Sequence, residues 1–256
     1  MSTRAPARRR DPVVPGQHGA WGFLGLPLLL GIAAAGWSFW LVPLIVAWVA
    51  GYPSSWALSG LLTARRPERF RRAALVWTPI CVLAGATVLV THPWLGWVLV
   101  VYALLFGVNL HQARVRRERS LANDLVLIAE CVLLVPVVAG VVAGEGFTPP
   151  WTAMTTPTVF AAAVVTALTL IGSTLHVKSL IRERANPSYT HASRVFALAA
   201  PVVVYLVCGQ WWLVLPFVLL AARALWWHDP SWRPARIGLV ELAGLVSVGT
   251  AGFLAF

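Results

Sequence analysis

The sequence predicts an all-α membrane protein, a bundle of about nine transmembrane helices with its N-terminus inside and its C-terminus outside. Three observations carry that expectation. Of the 256 residues, 59% are hydrophobic and only 11% charged, whereas a soluble domain carries about 25% charged residues. The apolar residues fall in runs close to the roughly 20 residues that cross a hydrocarbon core. The Lys and Arg residues cluster in every second connection between those runs, the pattern expected of cytoplasmic loops. The formal net charge of +11 therefore faces anionic lipid, and no nucleic acid is expected as a partner.

The elements follow in order. Residues 1–17 form a cytoplasmic basic tail with Arg4, Arg8, Arg9 and Arg10, and residues 18–256 form a single transmembrane domain. The apolar stretch from Gly19 to Leu62 is too long for one crossing, and Gly36-Trp37-Ser38 divides it into spans near 19–35 and 39–62. The first span has no clean cleavage site after it and is expected to be retained. Further spans lie near 73–91, 94–111, 121–143, 151–177, 192–208, 210–226 and 236–256. Tight connections at Thr91-His92-Pro93 and Gly209-Gln210 imply antiparallel hairpins. With nine spans, the tail and four inner loops hold all 20 Lys and Arg residues, and the outer face holds none. Prolines within spans, such as Pro53, Pro136 and Pro216, are tolerated where neighbouring helices satisfy the freed carbonyls. Cys81, Cys131 and Cys208 sit in apolar runs without a CxxC pair, so neither a disulfide framework nor a zinc site is indicated.

Chemistry is expected where polar residues stand at the inner ends of spans, because an ionisable group in a bilayer usually faces a polar cavity or a partner. Gln17 and His18 open the first span. Asn109, His111 and Gln112 close the fourth, and Asn123 and Asp124 open the fifth. Asp124 is equally placed to complement a helix dipole. Glu130 lies about 9 Å further along the axis and is expected in the polar interior, as are Arg223 and Glu241, which could pair. At the end of the sixth span Thr174, Lys178 and Arg182 recur at i, i+4, i+8 and share one helical face, with Ser173, His176 and Ser179 beside it. Such a wall is either a snorkelling collar or a cationic surface for phosphate or carboxylate. His18, Asn109, Asn123, Asp124, His176, Lys178 and Arg182 are expected to converge on one cytoplasmic cavity.

The segments Pro15–Trp21 (PGQHGAW), Glu118–Leu125 (ERSLANDL), His176–Arg184 (HVKSLIRER) and Arg223–Glu241 resemble the YwiC-like family of bacterial integral membrane proteins, over most of the chain from Pro15 to Glu241. More distantly, nine helices with polar sites after the second and sixth are similar in plan to the UbiA superfamily of intramembrane prenyltransferases. That resemblance implies a central cavity in which Asp-rich motifs hold magnesium and a prenyl diphosphate. Here the corresponding stretches, Tyr52–Ser59 and Leu175–Glu183, contain no Asp. Magnesium needs hard oxygen ligands, so a magnesium role is doubtful, no metal ligand is assigned, and no catalytic residue is carried over. Lys178 and Arg182 are instead expected to meet an anion directly.

The leading expectation is a cytoplasm-facing cavity that binds an anionic amphiphile, a membrane lipid or prenyl-type molecule, with prenyl-lipid transfer as the enzymatic form. A small-molecule transporter or exporter, with Asp124, Glu130 and Glu241 as a proton relay, is the alternative, and a non-catalytic membrane scaffold is the third. The expected location is the bacterial inner membrane.

Overall fold

The computed structural model describes residues 12–16, 19–227, 229 and 231–256. Residues 1–11 of the basic tail, with all four of its arginines, and Gln17, His18, His228 and Pro230 lie outside the described residues. Those described contain helices and no strand. In order they are α1 (Ala20–Ala35), α2 (Leu41–Thr63), α3 (Glu68–Thr91), α4 (Leu95–Arg114) and α5 (Leu121–Ala143), then the one-turn α6 (Trp151–Met154). After it come α7 (Pro157–Val177), α8 (Pro187–Cys208), α9 (Trp211–Trp226) and α10 (Pro234–Ala255). Seven of the described helices are long and apolar enough to cross a membrane, and α1 and α9 are shorter apolar helices of 16 residues, about 24 Å each. The chain is a multi-pass membrane protein.

Where helix ends depart from the sequence expectation, a local cause is visible. Helix α3 starts at Glu68, so Arg69, Arg71 and Arg72 are helical rather than loop. Pro67 leads into it and Glu68 places a negative charge in its first turn, where the helix dipole favours one. Helix α8 starts at Pro187 because Asn186 caps it, its Oδ1 accepting the Ser188 N–H at 3.1 Å. The expected sixth span is divided. Thr155 closes α6, and Thr156 then caps α7 through its hydroxyl oxygen, with Pro157 in the first turn. A five-residue π-turn, Lys178–Arg182, continues α7 at its far end. Gly209, at φ 68°, supplies the left-handed residue that ends α8 and turns the chain into α9.

Helices α1, α5, α7 and α10 pack together, and α8 and α9 complete that side of the bundle. Leu30, Cys131, Val135, Val165, Leu170, Phe217 and Val248 fill the space between them. Helix α2 pairs with α3, and α4 rests on α5 and α2. The outer faces of α3 and α4 are apolar yet exposed, with Leu83 at 70%, Val90 at 79% and Leu104 at 66%. Such surfaces suit a solvent of acyl chains, where the hydrophobic effect between helices is absent and packing quality decides contact.

The two ends of the bundle differ in character. At one end, Trp40 Nε1 donates to Glu145 Oε1 at 2.7 Å, Gly146 N to the Thr91 carbonyl, and Gln210 Nε2 to the Ala255 carbonyl at 3.1 Å. These bonds gather the α1–α2, α3–α4, α5–α7 and α8–α9 connections with the C-terminus. The opposite end collects the α2–α3, α4–α5, α7–α8 and α9–α10 connections. Every described Lys and Arg lies at this basic end or within about two turns of it.

Candidate functional site

Three polar contact sets occupy the basic half of the bundle. The most buried is built by α7, α9 and α10. Arg223 stands in the last turn of α9 and Glu241 in the third turn of α10. The loop between them turns on Asp229, whose Oδ1 accepts the Ser231 N–H at 2.9 Å, and on Trp232, which lies 4.0 Å beneath the Arg236 guanidinium. Hydrogen bonds from the Ser231 side chain and backbone hold the Asp229 carboxyl below its ordinary range. Gly244 lets α9 approach α10 closely, since a Cβ there would stand 2.7 Å from Leu220 Cδ2. Arg223 Nη1 then donates to Glu241 Oε1 at 2.5 Å, and the Ser173 hydroxyl of α7 donates to Oε2 at 2.7 Å. His176 Nε2 lies 3.9 Å from the same carboxylate. Arg223, Glu241 and His176 are 5%, 6% and 2% exposed. The space beside them, lined by Thr169, Leu220, Gly244 and Leu245, is too small to admit a water molecule.

The second set joins the start of α5 to the end of α7. Ser120 caps α5, its hydroxyl oxygen accepting the Asn123 N–H at 3.2 Å, which places Asp124 in the first turn. Lys178, the first residue of the π-turn, is buried, and its Nζ meets Asp124 Oδ2 at 2.7 Å and the Arg119 carbonyl at 2.6 Å. Asn123 Nδ2 donates to the Glu118 carbonyl at 3.0 Å, so the α4–α5 loop is held from both sides. Lys178 lies about 7.5 Å along the axis from Ser173. The end of α7 thus carries two charge-compensated contacts at different depths. Arg182, at the far end of the π-turn, is exposed and makes no ion pair among the described residues.

The third set lies between α4 and α5. Asn109 Nδ2 donates to Glu130 Oε1 at 3.0 Å, and the Tyr102 hydroxyl donates to the Glu130 carbonyl at 2.9 Å. Both Glu130 and Asn109 are half-buried. The residues expected to share one cavity are therefore placed in separate contacts. Lys178 and Asp124 are together with Asn123 alongside, His176 is directed to Glu241, Asn109 to Glu130, and Arg182 to the surface. Among the described residues no three His, Cys, Asp or Glu side chains are grouped to hold a metal ion.

Comparison with known proteins bears on the same residues. The YwiC-like protein family model matches residues 14–139. The chain is 31% identical to the Bacillus subtilis (strain 168) protein YwiC, over 90% of this chain and 92% of that one. The chain belongs to the YwiC-like family. A protein of Haemophilus influenzae is 25% identical to this YwiC-like protein, again over 90% of the chain and 93% of the relative. No solved structure matches it. The family model covers Asn109, Asp124 and Glu130, and the alignment with the Bacillus relative spans most of the chain beyond them.

Sequence reasoning passed over the opposite end. His92 is fully buried there beneath the Trp40 ring, with Nδ1 2.8 Å from the Thr91 hydroxyl, and Glu145 is the carboxylate that receives Trp40. The available signal was Glu145 itself, an acidic residue in a connection without Lys or Arg.

Proposed function

We propose that this YwiC-like protein crosses the bacterial cytoplasmic membrane nine times with its basic end in the cytoplasm, and binds an anionic amphiphile there. Prenyl-lipid transfer is the enzymatic form of the same reading. The observation that carries it is the exposed Arg182 at the end of the π-turn, which the buried Lys178 anchors. An ammonium has three N–H donors; Asp124 and the Arg119 carbonyl take two, and the side chain is 4% exposed, so Lys178 anchors the π-turn to α5 and does not itself face the ligand. Arg182, at the far end of the π-turn, is exposed. A headgroup phosphate or carboxylate meets the Arg182 guanidinium while its tail stays in the bilayer.

The test is native mass spectrometry of the detergent-extracted protein, followed by titration with phosphatidylglycerol and phosphatidylcholine nanodiscs. An anionic lipid or prenyl phosphate should copurify, and Arg182→Gln should weaken binding about tenfold or more, one charge-assisted hydrogen bond being worth roughly 1.5–3 kcal/mol. Equal binding of both lipids, or binding abolished by EDTA, contradicts a direct cationic contact. Transport is a second reading, favoured by the buried Arg223–Glu241 contact, because intramembrane charges often mark ion or substrate paths. Solute flux in proteoliposomes, lost in Glu241→Gln, distinguishes it.

A further inference from the structure

The α4–α5 interface carries an excess of buried acceptors. The Asn109 amide gives its N–H to Glu130, which fixes its Oδ1 facing the other way, and that oxygen is buried without a donor among the described residues. Asn123 is fixed in the same manner by the Glu118 carbonyl, and its Oδ1 is likewise buried and unpaired. Gln112 Oε1 is a third such oxygen. Their order follows from the hairpin. With Asn109 opposite Glu130, Gln112 lies about 4.5 Å nearer the basic end on α4, and Asn123 about 10.5 Å nearer on α5. Buried polar atoms normally find partners, and acceptors that repeat toward a carboxylate call for donors or a hard cation. Amide and carboxylate oxygens are the ligand types that small hard cations prefer.

We propose that this seam is a site for a small monovalent cation, H⁺ or Na⁺, held on the Glu130 carboxylate and reached from the basic end past Asn123, Gln112 and Asn109. The cation takes the place that Arg223 fills at Glu241, where a fixed guanidinium already compensates the carboxylate. On α5 and the elements packed against it, the titratable or charged groups are Tyr102, His111 and Arg114 of α4, Asp124 and Cys131 of α5, Tyr52 of α2, and His176 of α7 with Lys178 of the π-turn that continues it. The inference does not depend on amphiphile binding.

Dicyclohexylcarbodiimide tests it on the intact protein in phosphatidylcholine vesicles. This reagent attacks protonated carboxyls in membranes: the acid proton goes to one nitrogen, the carboxylate oxygen bonds to the central carbon, and rearrangement leaves a stable N-acylurea. Peptide mapping at neutral pH should find the adduct on Glu130 and not on Glu241, and Glu130→Gln should lose it. Labelling that falls as pH rises, and is the same in sodium and choline chloride, identifies the proton. Labelling suppressed several-fold by sodium but not choline identifies Na⁺. No adduct on Glu130 at neutral or mildly acidic pH, or equal labelling of Glu130 and Glu241, overturns the proposal. The mapping of the unaltered protein decides the matter even if the variant fails to fold.

Discussion

Glu241→Ala is expected to destabilise the protein by about 3–5 kcal/mol, the usual cost of removing one partner of a buried pair. The variant leaves the Arg223 guanidinium, 5% exposed, without its carboxylate, and leaves the Ser173 hydroxyl without its acceptor. The enclosed space beside the pair has room for about one water at most, too little to hydrate a guanidinium. Glu241→Gln keeps an acceptor for Ser173 and should cost less. Replacing both partners, Arg223→Met with Glu241→Leu, should recover much of the loss, since apolar residues of similar volume avoid the desolvation that the pair has to offset. Thermal unfolding in one detergent ranks the four proteins. A Glu241→Ala protein that melts with the unaltered one would mean that α9 and α10 do not bring the two charges together.

Lys178→Ala is expected to cost less, about 1–3 kcal/mol, through the unpaired Asp124 and the lost bond to the Arg119 carbonyl. Asp124 has 24% of its side chain exposed, so water screens the orphaned charge. The effect should be local: the α4–α5 loop, residues 115–120, loses its tie to α7 and should be cut faster by trypsin. Asp124→Asn in the same chain should restore part of the stability, because a neutral amide needs no cation. A double-mutant cycle measures the coupling directly. A cycle with no coupling would contradict the Lys178–Asp124 contact.

Much of the fold was legible because apolar runs and their charged interruptions are local features. The ends of α1, α2, α5 and α10 follow the apolar boundaries within a few residues. Helix α3 begins earlier than expected because a run of arginines is no barrier to a helix when Pro67 and Glu68 start it. The site was legible only in part. The shared face of Thr174 and Lys178 holds, both being buried, whereas Arg182 is exposed at the last position of the π-turn. Periodicity gives the face a side chain occupies and not the neighbour it meets. The pairing of Glu130 with Asn109 depends on the register of the α4–α5 hairpin, and that of Ser173 with Glu241 on the packing of α7 against α10. No one-dimensional pattern contains either.

In the proposed topology the basic end of the bundle, with Asp124, Lys178, Arg223 and Glu241, faces the cytoplasm. Alkaline phosphatase fusions test this most directly, since the enzyme is active only outside the cytoplasmic membrane. A fusion after Phe256 should be active and a fusion at Arg116, in the α4–α5 loop, inactive. The reverse pattern, or activity at both positions, would contradict nine crossings with the charged site on the inner side.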